Sequence, residues 1–189
     1  MARRKRLNKR LILLLGAFGG ILVAGVLVLV LGGLPADAAA AAAEGIKAYE
    51  AAQASIEQGE YEKAKSQLVK ALKSYKRAAD ADEDNADYMY QLAVIRRALA
   101  ERIPAPTMTQ TERQEYGGRY ESALRKALRR DPNHREARAA LVELAWMRAR
   151  NSDTGWAEFV TEAGKLLELQ QDAETYFRRG YAHRRLLAM

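Results

Sequence analysis

The side chains most often used in catalysis are few in this sequence, and none of them stands in a catalytic pattern. The chain of 189 residues has two histidines, His134 and His183, and no cysteine. We interpret both histidines as capping or surface residues, because His134 ends a DPNH turn and His183 lies on the last predicted helix. The acid pair Glu60/Glu62 and the acids at 82–84 lie in predicted turns, where solvation and helix capping account for them. We therefore predict no catalytic residue, no cofactor-binding residue, no metal site and no enzymatic activity.

The positive charge of the chain is concentrated at its N-terminus. The formal net charge is +7, and six of the 31 Lys and Arg residues lie within residues 1–10. No acidic residue precedes Asp37, so the remaining chain carries 25 cations against 24 acids, a net charge of +1. The basic character belongs to this short head and does not predict nucleic-acid binding.

Residues 11–34, LILLLGAFGGILVAGVLVLVLGGL, contain no charged or strongly polar side chain. A helix of this length is about 36 Å long at ~1.5 Å per residue, enough to cross a hydrocarbon core of about 30 Å. Since the basic head precedes the segment, the positive-inside rule predicts residues 1–10 in the cytoplasm and everything after Leu34 outside. We predict a single-pass signal anchor in a bacterial inner membrane, with the C-terminal domain in the periplasm or extracytoplasmic space.

A cleaved secretory signal is the alternative interpretation of this segment. Ala36 and Ala38 form the A-x-A arrangement that signal peptidase uses, so cleavage after Ala38 would release a secreted, soluble binding protein. The apolar run is longer than the ~7–15 residues of a signal-peptide core, which favours the anchor. Gly16 and Gly20 lie four residues apart in the span and would allow close helix contact in a homo-oligomer.

Beyond the span, the sequence shows only helical periodicity. An Ala-rich segment at 35–43 is interpreted as a stalk or as the start of the first helix. Breakers at 59, 80–85, 103–110, 131–133, 151–155 and 170–172 divide the rest into seven helices. Asp84 or Asn85 is predicted to cap the third of these, and the segment TQTE (109–112) to form a capping box before the fourth. Gly117-Gly118 marks either a kink in the fourth helix or its true beginning.

These helices carry a recurring pattern that resembles the tetratricopeptide repeat (TPR) family. In that family, a bulky residue, a Leu-Gly-like pair and a Tyr recur on the first helix of each hairpin, and an Ala-x3-aromatic pattern on the second. The first-helix spacing occurs at Ala48-x2-Ala51-Ala52-x2-Ser55, Met89-x2-Leu92-Ala93-x2-Arg96, Arg138-x2-Leu141-Val142-x2-Ala145 and Tyr176-x2-Arg179-Gly180-x2-His183. The second-helix spacing occurs at Ala64-x3-Leu68-x2-Ala71, Tyr120-x3-Leu124-x2-Ala127 and Ala163-x3-Leu167. Pro132 falls where the family places its repeat-closing proline.

The segment QGEYEKA (58–64) is similar to the family's turn between helices. Gly59 is predicted to permit the chain reversal through a positive φ, and Ala64 and Ala71 to be small where the helices approach. The first-helix motifs begin 41, 49 and 38 residues apart instead of about 34, and Ala, Ser or Arg replaces several consensus residues. The resemblance covers residues 44–189 and implies an all-α fold, a TPR-like α-solenoid of about three helical hairpins plus a terminal helix. Another α-solenoid or a helical bundle is the alternative.

The resemblance also implies a binding function, that of a scaffold or adaptor holding a protein or peptide partner near the membrane. In TPR domains the first helices line the concave face, where the partner binds. The matching positions, our predicted partner-binding groove, are Tyr49, Gln53, Tyr90, Val94, Arg97, Glu143, Met147, Phe177, Tyr181 and Arg184. They combine rigid aromatics with hydrogen-bonding and charged groups, as binding hot spots do. The alternative role for Tyr90 and Phe177 is to fill gaps between hairpins.

The last predicted helix, 173–189, matches a first helix with no second helix behind it. Either its four arginines form the polar outer face of a capping helix, or the chain is the N-terminal segment of a longer regulatory or enzymatic protein. Charge is also uneven, since residues 35–95 carry a net charge of −4 and residues 96–189 one of +5. A basic cluster near the DPN turn is interpreted as solvated helix ends, or alternatively as a docking site for an acidic partner or anionic lipid head groups. Its members are Arg125, Lys126, Arg129, Arg130, Arg135 and Arg138.

Overall fold

The computed structural model describes residues 36–152 and 154–188, and within these ranges the regular structure is entirely α-helical. The helices are α1 (Ala36–Glu57), α2 (Tyr61–Ala81), α3 (Ala86–Arg102), α4 (Gln110–Arg130), α5 (Arg135–Asn151), α6 (Trp156–Leu169) and α7 (Ala173–Leu187). This confirms the predicted all-α class. In the described part of the chain, no helix has the length and apolar character needed to cross a membrane. The predicted basic head (1–10) and membrane span (11–34) lie outside the described residues.

The helix ends follow from local capping chemistry. Asn85 caps α3 by accepting a hydrogen bond from the backbone N–H of Tyr88 at 3.3 Å. Before α4, Thr109 and Glu112 form the reciprocal capping box, in which each side chain accepts a backbone N–H from the other residue. Both caps satisfy backbone donors that a helix start leaves without a partner, and both confirm the prediction. Gly117 and Gly118 lie inside α4, so they do not mark its beginning.

The first hairpin is formed by α1 and α2. Gly59 lies between them with φ of +75°, as predicted, and it is the one positive φ among the described residues. A side chain would strain this left-handed conformation, so glycine is favoured here. The Ala-rich segment forms the first turns of α1, and its residues Ala38 and Ala42 are buried. Ala64, at the start of α2, is also fully buried.

Each helix packs against the next one along the chain, and polar contacts also link helices that are two apart. Arg102, at the end of α3, donates a hydrogen bond to the side-chain oxygen of Gln53 on α1. Arg178 on α7 pairs with Glu143 on α5 at 2.6 Å. Together with the packing of Tyr90 on α3 into the core it shares with α5, these contacts join α1, α3, α5 and α7 in series. We call these four helices the first row.

The remaining helices form a second row through equivalent contacts. Lys65 on α2 pairs with Glu112 on α4 at 2.9 Å. Arg125 on α4 pairs with Glu158 on α6 at 2.7 Å. Alternation of the chain between two rows is the layout of a helical-repeat protein, in which each unit contacts mainly its neighbours.

The core is divided along the array rather than gathered at one centre. One cluster lies between α1, α2 and α3 and includes Leu68 and Leu99. A second, with Tyr120 and Leu124, lies between α3, α4 and α5. A third, with Phe159, lies between α5, α6 and α7. Each cluster fills the interface between one hairpin and the first helix of the next.

Candidate functional site

The predicted groove residues on α1 meet the end of α3. Tyr49 and Gln53 are half-buried, one turn apart on the same side of the helix. Gln53 accepts the hydrogen bond from Arg102, and burial raises the pKa of the Tyr49 hydroxyl, although the nearby Arg102 charge opposes this rise. This end of the first row therefore presents a phenol, an amide and a guanidinium side by side.

On α3, the structure separates a buried aromatic from an accessible charge. Tyr90 is only 8% exposed and lies in the core between α3, α4 and α5, where burial raises its pKa to about 12. Arg97 is half-buried, pairs with Glu101 at 2.8 Å and lies 5.9 Å from the centre of the Tyr120 ring. Val94 lies between Tyr90 and Arg97 in the sequence. Its side chain is half-buried and packs on the same core. Arg97 and Val94 are thus partly accessible at the surface, while Tyr90 is buried in the core below them.

Glu143 and Met147 continue this surface on α5. Glu143 is held by the 2.6 Å ion pair with Arg178, whose guanidinium also lies 5.2 Å from the centre of the Trp146 ring. Met147 is half-buried and lines a depression at the end of α5. We use the name first-row surface for the half-buried members of the predicted groove on α1, α3 and α5. They are Tyr49, Gln53, Val94, Arg97, Glu143 and Met147.

The three predicted groove residues on α7 do not share one environment. The Tyr181 ring packs edge-on against Trp146 and Trp156, at centroid distances of 6.0 and 5.6 Å. Phe177 is 71% exposed, and Arg184 is exposed as well. Among the described residues, neither of these two has a hydrogen-bond, ion-pair or ring partner. They project from the open side of the last helix instead of joining the first-row surface.

His134 links α5 to α3, a contact that the sequence pattern did not reveal. It caps α5, as predicted, since its Nδ1 accepts from the backbone N–H of Ala137 at 3.3 Å. The ring is 94% buried, packs on Tyr90 at a centroid distance of 5.0 Å and places Nε2 3.0 Å from a carboxylate oxygen of Asp87. Burial lowers the pKa of His134, but the carboxylates of Asp87, Glu136 and the turn outweigh it, so the net pKa is raised. While Nδ1 accepts from Ala137, the ring is neutral and its Nε2–H donates to Asp87, which ties two hairpins together. In the protonated ring, Nδ1–H would instead donate to Glu136, whose carboxylate oxygen lies 3.3 Å away.

The predicted basic cluster is divided by ion pairs to neighbouring helices. Arg125 pairs with Glu121 on its own helix and with Glu158 on α6, both at 2.7 Å. Arg138 pairs at 2.8 Å with Glu162, and both side chains are almost fully buried. The side chains of Lys126, Arg129 and Arg130, with Met89, line a shallow basic depression. Arg130 also pairs with Asp84 at 3.1 Å. Three of the six members, Arg125, Arg130 and Arg138, are therefore held in ion pairs within the array.

In its chemistry, the first-row surface suits binding. It offers charged, amide, phenolic and apolar side chains over three successive helices, which matches the composition of protein interfaces. Within residues 36–152 and 154–188, no three potential metal ligands come together. Neither the family models nor the curated proteins compared with this chain give a match.

Proposed function

We propose that this chain is a membrane-anchored scaffold whose TPR-like array binds a protein or peptide partner outside the cytoplasm. Residues 11–34 would serve as the anchor, residues 1–10 would remain cytoplasmic, and residues 44–189 would be the binding domain. The resemblance in sequence motifs, the two-row arrangement and the positive φ at the predicted hinge Gly59 all support a TPR-like array. The apolar length of the span and its basic flank support the anchor.

The observation that carries the binding function is that the three helices bearing the first-row surface are joined to one another. Arg102 and Gln53 join α1 to α3, and His134 and Asp87 join α3 to α5, so neighbouring helices are held at fixed distances. A peptide lying along the row would cross several helices and meet a different functional group on each. Repeat arrays commonly bind partners on an extended surface of this kind.

The polar groups of this surface have hydrogen-bond donors and acceptors left to bind a partner. The Nε of Arg97 donates to Glu101, which leaves the terminal guanidinium nitrogens with further donors. Glu143 contributes one carboxylate oxygen to Arg178, and its second oxygen can accept from a peptide N–H or a cation. The surface can therefore bind without first breaking its own ion pairs.

Site-specific photo-cross-linking tests the binding surface. A photoreactive phenylalanine analogue is placed in the full chain at Val94 or Met147 on the first row, or at Ser66 or Ser122, both exposed on the second row. In native membranes, we expect one discrete cross-linked protein from the first two positions and none from the two control positions. Arg97→Gln should lower the yield at Val94 about tenfold, because truncating a hot-spot arginine commonly costs 1–2 kcal/mol or more. Equal cross-linking from both rows would refute the assignment.

The anchor is tested by topology. A reporter that is active only outside the cytoplasm, fused after Met189 in a bacterial host, should be active. Neutralising the six cations within residues 1–10 should weaken or invert insertion, since their charge sets the orientation. Activity of a cytoplasmic reporter at the same site would contradict the proposed topology, and it would leave the cross-linking result on the binding surface unaffected.

A further inference from the structure

The last helix presents an apolar face that no other described helix covers. Tyr176, Phe177 and Leu187 are 49%, 71% and 89% exposed. Phe177 and Leu187 lie on the side of α7 away from its buried residues Thr175 and Ala182, and Tyr176 lies at the edge of that side. Gly180 and Arg184 lie between them on the same side. We call this surface the open face of α7, formed by Tyr176, Phe177, Gly180, Arg184 and Leu187. The other exposed large apolar side chains of the described array, Tyr181 and Leu186, lie on the same helix.

The positive charge of the open face comes from Arg184. The other three arginines between Ala173 and Leu187 lie toward the array: Arg185 is 6.0 Å from the centre of the Trp156 ring, and the Arg179 guanidinium lies 3.7 Å from where a Cβ on Gly164 would be. Arg178 forms ion pairs with Glu143 on α5 and with Glu174 on its own helix. Arg184, however, lies at the middle of the open face without an ion-pair partner in the described residues. A binding partner would have to supply both an apolar or small-residue surface and carboxylates.

The helix at the other end of the same array has this complementary character. Between Ala36 and Glu57 there are four acidic residues against one lysine, and one of the four, Glu44, pairs with Arg77 on α2 at 3.4 Å. Away from α2, α1 exposes a side made of small and acidic residues, with one lysine. We call it the outer face of α1, and its members are Ala40, Lys47, Glu50, Ala54 and Glu57. Small residues allow close approach of bulky aromatic side chains, and Glu50 and Glu57 can pair with Arg184.

We propose that the open face of α7 binds the outer face of α1 of a second copy of this chain. Arg184 on the open face and the exposed Glu50 and Glu57 on the outer face of α1 favour this pairing, whereas two open faces in contact would bring like-charged Arg184 side chains together. Because the two surfaces differ, the contact is heterologous, and repetition produces an open row or a ring of copies joined head to tail. In such a row, α1 of the next copy extends the array past α7. The proposal goes beyond the partner-binding function and does not depend on it.

One helix against one helix makes a small contact, below the roughly 1,200 Å² of standard stable interfaces. We therefore expect weak association in dilute solution. In a membrane, anchored copies share an orientation and a high local concentration, which favours formation of the row. The test accordingly uses the full chain in membranes.

Cysteine cross-linking tests the contact directly, because the chain contains no native cysteine. Ala54→Cys marks the outer face of α1, and Gly180→Cys marks the open face of α7, where a side chain meets no atom within 4 Å. Two differently tagged full chains, each with one of these cysteines, are co-expressed in one membrane. They are treated with a short bismaleimide, whose reach tolerates a shift of one helical turn, about 5.4 Å. Ser122→Cys, exposed on α4, is the matched control on the second row.

The expected result is a mixed dimer from Ala54→Cys with Gly180→Cys, and a ladder of larger products when one chain carries both. Pairs that include Ser122→Cys should give at least fivefold less product. Dimers from Gly180→Cys alone would indicate an α7-to-α7 contact and overturn the proposal. Absence of any product from the mixed pair, as expected if α7 lies on lipid or on another protein, would overturn it as well.

Charge exchange provides a second, independent measurement. Arg184→Glu in the Gly180→Cys chain should lower the mixed product about fivefold, since exposed ion pairs are individually weak and reversal replaces attraction by repulsion. Combining Glu50→Arg and Glu57→Arg in the Ala54→Cys chain should restore the product. All three side chains are exposed, so the helical content of each variant should match that of the parent. Restoration to the original level supports this specific pairing, and an unchanged low yield contradicts it.

Discussion

The tightest contact in the first hairpin predicts opposite effects of one substitution at two glycines. Gly45, in the middle of α1, faces the ring of Tyr75 on α2. A Cβ placed on Gly45 would lie 2.7 Å from Cδ2 and 2.8 Å from Cε2 of that ring. The ring cannot move away easily, because Tyr75 is buried and packs on Tyr88 at a centroid distance of 6.4 Å. Gly118, inside α4, is exposed, and a Cβ there would meet no atom within 4 Å.

Both Gly→Ala changes gain about 0.5–1 kcal/mol from the lower backbone entropy of alanine in the unfolded chain. At Gly118 we expect this gain in full. At Gly45 the overpacking cost of about 1–3 kcal/mol exceeds it, so the net effect should be destabilising by about 1 kcal/mol. For a domain of about 150 residues, the two variants should differ in Tm by about 4–8 °C, at 2–4 °C per kcal/mol.

The measurement is thermal and urea unfolding of residues 36–189, followed by far-UV circular dichroism. A double-mutant cycle with Tyr75→Leu isolates the contact, because removing the ring should make Gly45→Ala neutral or stabilising. If Gly45→Ala raises Tm as much as Gly118→Ala in the parent background, the close approach of α1 and α2 is wrong.

Three further predictions concern the turn, a buried ion pair and pH. Gly59→Val should lower stability by about 1–2 kcal/mol in urea unfolding, because valine is strained at a φ of +75°; an unchanged midpoint would refute this conformation. Arg138→Met should cost about 3 kcal/mol in the same assay, since it leaves the buried Glu162 carboxylate with Lys165 alone, and a cost near zero would mean that the pair is solvated. The raised pKa of His134 means that its contribution is complete below its unfolded pKa of about 6.5 and is lost as pH rises through the folded value. Unfolding at pH 5.5 and 8 should therefore show a larger stability loss for Asp87→Asn at the lower pH, and equal losses would exclude a charged His134.

The helices and their ends could be predicted from the sequence because their causes are local. Asn85, the pair Thr109 and Glu112, and Gly59 each act within four residues of their own position in the chain. A side chain that accepts a nearby backbone N–H, or a residue that permits a positive φ, leaves a recognisable pattern in the sequence.

The environment of the candidate site could not be predicted in the same way. Tyr90 and Val94 lie one turn apart on α3 and have similar positions in the repeat pattern, yet Tyr90 is buried by α5 and Val94 is only half-buried. The partner of His134, Asp87, lies 47 residues away, and only the packing of α5 on α3 brings the two together. Such differences depend on how successive hairpins are rotated, and the irregular repeat spacing gives no direct measure of that rotation.

The composition of the core explains why the repeat pattern is degenerate although the helices alternate between two rows. Alanine supplies 19 of the 37 buried apolar residues in the described part of the chain. Small side chains let helices approach closely, but each contributes little burial energy compared with Leu or Phe. Aromatic and charged contacts between hairpins, such as Tyr90 on His134 and Arg138 with Glu162, then have a larger share in setting their relative positions.

The contacts within the array also affect how the first-row surface would bind a partner. Arg97 is held by Glu101 and the Tyr120 ring, and Glu143 is held by Arg178, before any partner arrives. A long side chain fixed in advance loses less conformational entropy on binding, at about 0.5–1.5 kcal/mol for each side chain that would otherwise be immobilised. In the proposed binding, these contacts would act in two ways. The Glu143–Arg178 pair holds α7 against α5, and both contacts present the remaining donors and acceptors of Arg97 and Glu143 in a defined orientation.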